Sequence, residues 1–334
     1  LKPKNVSIQK ISEVTGVSVA TVSRVINNNG RFSKETERRV KKALEEYHYT
    51  PNLAARGLRT KRIPTVGVIV PDITNEYFAR ITLSLQERLF KANYSTIICN
   101  TNENAEIESR HLEMLLSQQV SGMIYISGTP QDLSRLSHLP SVFIDREPRI
   151  PKGEGKYLLI ESDHYQGGFL AGQELLNQGC REIAMLKYRS DISSHNSREQ
   201  GFRKALEQAG RSADDVTVRI VQQVGVEEGF RQTQALLESV TFDGLFCTAD
   251  ALAVGAVYAL KEKGLRIPEQ VKLVGYDDIS IAQYGVVPLT SVHQSMEGIG
   301  QLGADALLQI MNGEEPKERH LLLPVHLIRR ESSE

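Results

Sequence analysis

The chain has 334 residues, 40% of them apolar and 24% charged, a balance that supports packed cores in two or three domains and excludes disorder as the default state. Its net charge of −1, taken whole, speaks against a nucleic-acid binder. The charge is unevenly spread, however: residues 1–62 hold 14 basic and 5 acidic side chains, and the remainder holds 26 and 36. A small basic module of net +9 is joined to an acidic body of net −10, which points to a nucleic-acid or membrane-surface contact at one end.

Three widely spaced cysteines, Cys99, Cys180 and Cys247, form no CxxC pair and no disulfide framework, so a reducing cytosol is expected. No apolar run approaches the roughly 20 residues that span a bilayer. The first residues lack the apolar stretch of a signal peptide. Neither secretion nor a membrane partner is expected.

The first fifty residues carry caps and helical periodicity. Ser7 suits the cap of a first helix with Ile8, Ile11 and Val14 on one face, and Gly16 breaks it. Ser18 suits the cap of a second helix in which Val22, Val25 and Ile26 point inward. Asn27-Asn28-Asn29-Gly30 is a turn signal. Ser33 suits the cap of a third helix with Val40, Leu44 and Tyr47 at i, i+4 and i+7. Two short helices around a tight glycine turn, closed by a third, describe a helix-turn-helix.

In that motif the second helix lies in the major groove. Arg24 is then the long polar group able to make a bidentate contact to guanine, and Val19 and Ala20 offer apolar contact to a thymine methyl. Ser7, Ser18, Thr21, Ser23 and Asn27 are small donors of the kind that position a module on phosphates. The linker Thr50–Arg59 opens with Pro51 and contains Ala54-Ala55, both compatible with helix, yet it spans under three turns and contains Gly57, so alone it is marginal. Leu58, flanked by Arg56 and Arg59, fits either a wedge at a minor-groove base step or an ordinary interdomain contact.

From Pro64 onward strands and helices alternate. Strands are predicted at 65–70, 95–99, 122–126, 141–144, 183–186, 217–221, 244–248 and 272–276. Helices are predicted at 76–91, 105–119, 166–178, 198–209, 229–237 and 251–263. Repeated βα units imply parallel sheets with helices on both faces, and about 270 residues suit two lobes. Ligands of such sheets bind beyond the carboxyl ends of strands. The residues to inspect there are Asp72, Tyr77, Phe78, Asp145, Arg146, Arg198, Asp250 and Asp277. Carboxylates, a guanidinium and an aromatic pair suit a hydroxyl-rich ligand such as a sugar: acids accept from hydroxyls, the guanidinium donates, and a ring stacks on the apolar sugar face.

Gly298-Ile299-Gly300-Gln301-Leu302-Gly303 spells GxGxxG, but no βαβ unit with a following acid surrounds it, so no dinucleotide cofactor is expected. The histidines fall at no metal-ligand spacing, and no nucleophile elbow or HExxH is present. No catalytic residue, metal or cofactor is therefore assigned, and an enzyme is not expected.

Several runs together carry a family resemblance: Ser18-Val19-Ala20-Thr21-Val22-Ser23-Arg24-Val25-Ile26-Asn27, Tyr49-Thr50-Pro51-Asn52, Ala55-Arg56-Gly57-Leu58, Val66-Gly67-Val68-Ile69-Val70-Pro71-Asp72, Phe143-Ile144-Asp145-Arg146, Gly167-Gly168, Val274-Gly275-Tyr276-Asp277-Asp278 and Leu323-Pro324. In order and spacing the chain resembles the lactose/galactose repressor (LacI/GalR) family of bacterial transcriptional regulators over its whole length. The resemblance implies a homodimer on a pseudo-palindromic double-stranded operator, controlled by a small effector in the cleft, here a sugar or sugar phosphate. Leu58 would enter the central minor-groove step, with Asn52, Ala55 and Arg59 beside the DNA. Tyr77 and Phe78 match the family's aromatic pair near effector. Asp145, Arg198 and Asp277 match effector contacts, and Asp163 sits near a matching loop. Ala249 and Val224 depart from the pattern, standing where relatives have an asparagine and large aromatics.

The expected architecture is α/β. A helix-turn-helix domain (1–50) and a hinge helix with linker (51–62) precede a two-lobed core resembling periplasmic binding proteins. Its N-terminal lobe comprises 63–162 and 290–320, and its C-terminal lobe 163–289 and 321–334. No zipper-like segment follows Glu331, so a dimer is expected over a tetramer. The competing readings are a global catabolite-control or nucleobase-responsive regulator of the same family and, from another class, a solute-binding protein. The last would carry a signal peptide and no basic helix-turn-helix.

Overall fold

The computed structural model describes residues 6–26, 29–49, 63–126, 136, 138–148 and 157–334. The hinge segment 51–62, with Asn52, Ala55, Leu58 and Arg59, and the turn residue Asn27 lie outside the described residues. Two compact units divide the chain, residues 1–63 and 64–334.

The first unit holds helices α1 (Ile8–Thr15), α2 (Val19–Ile26) and α3 (Lys34–Glu46). Ser7 caps α1 by accepting the Lys10 N–H at 3.2 Å, and Gly16 ends it at φ 63°. Ser18 accepts the Thr21 N–H at 3.3 Å, and Ser33 accepts the Thr36 N–H at 3.1 Å. Each bond satisfies a donor that the helix itself cannot pair.

Ile11, Val17, Val22, Val25, Val40 and Ala43 form the small core. Two inward assignments change. Val14 is exposed and Thr15 is buried in its place, its hydroxyl donating to the Ile11 carbonyl. At 100° per residue, position 15 lies nearer the stripe through Ile8 and Ile11 than position 14 does. Tyr47 is also exposed, because the chain leaves its helical path there, and Ala43, Leu44 and Tyr49 supply the apolar cover.

The second unit has two six-stranded sheets. The N-lobe sheet comprises β1 (Ile63–Val70), β2 (Ser95–Asn100), β3 (Val120–Ile126), β4 (Ser141–Ile144), β5 (Leu158–Ser162) and β11 (His320–Leu323), in the order β11-β5-β4-β3-β1-β2. The C-lobe sheet comprises β6 (Ile183–Tyr188), β7 (Val216–Val221), β8 (Gly244–Cys247), β9 (Lys272–Asp277), β10 (Thr290–His293) and β12 (His326–Ile328), in the order β12-β10-β9-β8-β6-β7. Apart from β10–β12, which runs antiparallel, the registered pairs are parallel. Strands β3 and β6 are buried along their whole length, as strands covered by helices on both faces must be.

The helices are α4 (Glu76–Lys91), α5 (Ala105–Ser117), α6 (His164–Asn177), α7 (Ser193–Gln208), α8 (Val226–Ser239), α9 (Asp250–Glu262), the short α10 (Ser280–Tyr284) and α11 (Met296–Met311). The GxGxxG run lies wholly inside α11, where Gly300 meets the Ile81 carbonyl and Gly303 meets Ile144. Its glycines serve helix packing.

The expected lobe boundaries shift at two places. Thr290–His293 pairs with β9 (Thr290 beside Val274) and belongs to the C-lobe sheet, not the N-lobe. Leu321–Leu323 pairs with β5 (Leu321 beside Ile160) and belongs to the N-lobe sheet, not the C-lobe. The chain thus crosses between lobes near 163, 294 and 324. Four-residue strands leave too little periodicity to be read before their partners are known.

Helices α6 and α7 approach so closely that a Cβ on Gly168 would lie 1.8 Å from the Arg198 carbonyl oxygen, and one on Gly201 would lie 1.8 Å from that of Tyr165. Backbone cannot give way as a flexible side chain can. Gly168→Ala is therefore expected to force the helices apart and cost about 1–3 kcal/mol, the usual range for an overpacked contact. Urea unfolding midpoints check this; an unchanged midpoint contradicts it.

Candidate functional site

The first unit presents α2 outward. Val22 and Val25 are buried, which leaves Ser18, Ala20 and Arg24 exposed and Val19, Thr21 and Ser23 at the margin. The Ser18 and Thr21 hydroxyls lie 3.0 Å apart. The Asn29 N–H closes the helix end on the Arg24 carbonyl at 3.0 Å. A Cβ on Gly30 would come 3.3 Å from Arg24 Cδ, so the missing side chain leaves room for the arginine stem.

In the second unit, the carboxyl ends of the strands converge on a cavity of about 370 Å³. From the N-lobe it is lined by Pro71, Asp72, Asn75, Tyr77 and Phe78 after β1, Asn102 and Glu103 after β2, and Asp145 and Arg146 after β4. From the C-lobe come Tyr188 at the end of β6 and Arg189 after it, His195 and Arg198 on α7, Gln222 to Val224 after β7, Ala249 after β8 and Asp277 at the end of β9. This is the placement that open parallel sheets impose on their ligand groups.

Arg198 is the central cation, with only 2% of its surface exposed. Its guanidinium carbon lies 3.7 Å from the centre of the Tyr276 ring. Nη1 donates to the Thr248 carbonyl at 2.6 Å and lies 3.6 Å from Asp277 Oδ1, and Nε donates to His164 Nδ1 at 3.3 Å. An arginine has only donors, so His164 Nδ1 must accept and its proton sits on Nε2. That N–H faces Asp145 Oδ1 at 3.4 Å and Glu161 Oε2 at 3.7 Å.

Asp145 also accepts the Tyr77 hydroxyl at 2.8 Å. Gln294, in a segment that crosses between the lobes, donates to Asp277 Oδ1 at 2.7 Å. Asp145 (φ 73°) and Asp277 (φ 107°) both sit in left-handed backbone, where a non-glycine residue is strained.

The environments push the two carboxyls apart. Burial works against ionisation of Asp145, but the hydrogen bond with His164 and the cations Arg198 and Arg146 outweigh it and hold the group well below the usual carboxylate range. Burial pushes Asp277 up to about 7 against the pull of Arg198, and Asp145 adds to the rise. Burial and Arg198 press His195 well below its ordinary value, so its imidazole is neutral. Its Nδ1 pairs with the Thr248 hydroxyl at 2.9 Å.

Across the cavity mouth, Glu103 of the N-lobe joins the lobes. Its carboxylate pairs with Arg146 Nη2 at 2.9 Å, accepts the Tyr188 hydroxyl, and lies 3.4 Å from Arg189 Nη1.

Of the residues expected from sequence, Tyr77, Phe78, Asp145, Arg198 and Asp277 are brought together in the cavity wall. Two are placed elsewhere. Asp163 caps α6, accepting the Gln166 N–H at 2.9 Å. Asp250 is fully buried behind the wall, accepting from Ser291 Oγ at 2.7 Å and the Ile279 N–H at 3.0 Å. Neither lines the cavity. Both are acids at helix starts, where capping or bracing of neighbouring loops uses up the carboxylate.

Asn75, Asn102, Glu103, Tyr188, Arg189, Gln222 and Gln223 were not singled out from sequence. The rule that found the others, that residues just past strand ends are suspect, would have found most of these had it been applied to β2, β6 and β7. Among the described residues no group of histidine, cysteine and carboxylate side chains could hold a metal ion, and no helix is long and apolar enough to cross a membrane.

Because the folded state holds the Asp277 proton more tightly than the unfolded chain does, its stabilising effect is complete below about pH 4 and is lost as pH rises through about 7. Asp277→Asn keeps a neutral side chain throughout. The fall in Tm between about pH 5 and 8 should be shallower in this variant than in the parent chain, as followed by circular dichroism. Equal slopes would exclude a titrating Asp277.

Comparison with known proteins gives these features a context. Residues 7–52 match the pattern described as "Bacterial regulatory proteins, lacI family", and residues 173–333 match the "Periplasmic binding protein-like domain". The chain is 32% identical over 327 residues to the HTH-type transcriptional repressor PurR of Pasteurella multocida (strain Pm70), covering 96% of each chain. It is 29% identical over 331 residues to the HTH-type transcriptional regulator DegA of Bacillus subtilis (strain 168), covering 98% of each. Among solved structures, a lac repressor dimer bound to operator and the anti-inducer ONPF superposes with a TM-score of 0.88 at 28% identity, covering 99% of each chain. A LacI family transcriptional regulator from Enterococcus faecium with bound ribose superposes at 0.72 with 30% identity, over 80% of this chain and 98% of that one. Helix-turn-helix, two-lobed parallel-sheet core and full-length similarity agree, and the chain belongs to the lacI family of bacterial transcriptional regulators.

Proposed function

We propose that the chain acts in the cytoplasm as a homodimeric repressor of a two-fold operator, its DNA affinity set by a carbohydrate, free or phosphorylated, held in the cleft between its core lobes. The observation that carries the ligand reading is the cavity wall. Acceptors (Asp72, Asp145) and donors (Arg198, Gln222, Gln223) surround a space of about 370 Å³ beside Phe78, a lining suited to an object with many hydroxyls and one apolar face. Relatives whose solved structures hold ribose, D-xylulofuranose or cellobiose support the same class.

The dimer reading draws on exposed apolar side chains in both lobes. Leu83 and Phe90 stand out from α4 at 57% and 75% exposure, and Tyr284 and Val286 from the α10 region at 78% and 59%. Leu83 and Phe90, seven positions apart, share one face of α4, and a contiguous apolar face left in water suits cover by another chain. Asn27 and the hinge residues Asn52, Ala55, Leu58 and Arg59 enter the reading as DNA contacts on their sequence pattern alone, and Asp163 and Asp250 act as supports of the wall and not as ligand contacts. A ligand can alter DNA affinity only through its different affinity for the two arrangements of the lobes.

The test combines an operator selected from random DNA with a thermal-shift screen of sugars, sugar phosphates and nucleobases. A ligand that binds the native state stabilises it by RT ln(1 + L/Kd) at free ligand concentration L, and Tm rises accordingly. Arg24→Ala should lose about 1–3 kcal/mol of specific binding at fixed salt, the worth of one bidentate base contact. Arg198→Ala should retain operator binding and lose the ligand-induced shift. Unchanged operator affinity in the first variant, or an unchanged shift in the second, contradicts the respective role.

A further inference from the structure

We infer that the carbohydrate bound in this cleft is neutral and unphosphorylated, and that Glu103 is the residue that excludes phosphorylated forms. The inference rests on the carbohydrate reading above and narrows it.

A phosphate monoester brings a charge between −1.5 and −2 at neutral pH, together with three strong acceptor oxygens, and it needs cations whose charge is not already offset by carboxylates. Three guanidiniums and no lysine are found among the described lining residues. Each guanidinium already has a carboxylate beside it that offsets its charge. Arg146, whose side chain is 6% exposed, is paired with Glu103 at 2.9 Å. Arg189 grips Asp191 with two nitrogens, at 2.9 and 2.7 Å, and lies 3.4 Å from Glu103. Arg198 is divided among the Thr248 carbonyl, His164, Asp277 and the Tyr276 ring. The one histidine in the wall, His195, is buried and neutral.

Against these three positive charges the same wall sets the carboxylates Asp72, Glu103 and Asp145, with Asp277, raised to about 7 by burial, as a partial fourth. A phosphate placed here gains no net countercharge and still loses its water, an unfavourable exchange for a multiply charged anion. Besides the Tyr77 and Tyr188 hydroxyls, which donate to Asp145 and Glu103, the remaining polar side chains are the amides Asn75, Asn102, Gln222 and Gln223, which donate and accept and so match hydroxyls.

Glu103 decides the balance because it neutralises two cations at once and is held firmly in place. Asn102 and Glu103 are consecutive left-handed residues, at φ 49° and 56°, and the Asn100 side-chain amide fixes Asn102 with a 2.6 Å bond. The Tyr188 hydroxyl then donates to the Glu103 carboxylate from the opposite lobe. Without this carboxylate, Arg146 and Arg189 would face the cavity with donors available to an anion.

The experiment is isothermal titration of the full-length chain with ribose, glucose, ribose 5-phosphate, glucose 6-phosphate and inorganic phosphate. Glu103→Gln and Glu103→Ala are titrated in parallel, each checked for native circular dichroism. The parent chain should bind a free sugar and bind its phosphate ester at least about tenfold more weakly, since like charges brought together cost several kcal/mol. Both variants should gain at least about tenfold for the ester or for inorganic phosphate. A parent chain that binds the ester as tightly as the free sugar overturns the inference and leaves the carbohydrate reading standing. Folded variants with no gain overturn the assignment to Glu103. Binding of a nucleobase in the parallel thermal screen, with neither form of any sugar bound, overturns the carbohydrate reading itself.

Discussion

A buried positive charge organises the core of this protein. The Arg198 guanidinium is almost wholly removed from water, and a charge in that position is tolerable only when its donors are met and its field is balanced. The molecule supplies a carbonyl, an imidazole nitrogen, and a carboxylate and an aromatic face that are neighbours on β9, so three segments meet at one charge. Much of the local architecture is the means of delivering them. Gly168 lets α6 lie against α7, so that His164 and Arg198 meet. The left-handed turn at Asp277 brings its carboxylate back toward the guanidinium, and Gln294 holds that carboxylate from a crossover segment. The cavity is therefore joined to the strands between the lobes by hydrogen bonds that run through charged groups.

The interface between the lobes has a distinct chemistry. Glu103 reaches Tyr188 and Arg189, Glu76 accepts the Ser280 N–H, and the Glu147 N–H donates to Ser193. The large apolar clusters lie mainly within each lobe, built on β1, β3, β4 and α4 in one and on β6, β8 and α9 in the other, with Ile279 of the C-lobe the one buried apolar residue that joins the N-lobe cluster among the described residues. Polar contacts that water can replace cost little to break, whereas packed apolar layers resist separation. A ligand that exchanges a few such contacts has leverage over the lobe arrangement out of proportion to its size.

How much of this was legible in the sequence depended on the range of the forces involved. The three capped helices, the alternating βα series and the cavity positions Tyr77, Phe78, Asp145, Arg198 and Asp277 follow from local rules: caps, periodicity and strand ends. Asp163 and Asp250 carry the same local mark, and only the fold shows that a helix N–H or Ser291 has already claimed them. Val14 and Thr15 are neighbours whose places are decided by about 100° of helix rotation. The short strands β5, β10, β11 and β12 exist because a sheet edge awaits them, and no three- to five-residue window contains that information. Glu103 escaped attention for a related reason, since its importance lies in partners 43 to 86 residues away.

The crossings between the lobes also fix the order in which the chain can acquire its parts during synthesis. The headpiece is built from one continuous stretch ending near Tyr49, and among the described residues none later in the chain contributes to its core. The N-lobe waits for β11 at 320–323. The C-lobe waits for Ser332, whose hydroxyl accepts the Thr290 N–H and donates to the Leu273 carbonyl, and for Ser333, which pairs with the buried Glu174. At ribosomal speeds of about 5–20 residues per second, the DNA-binding module precedes its regulator by roughly 15 to 60 s. A nascent chain thus carries a folded DNA-binding headpiece before either lobe that would regulate it is complete.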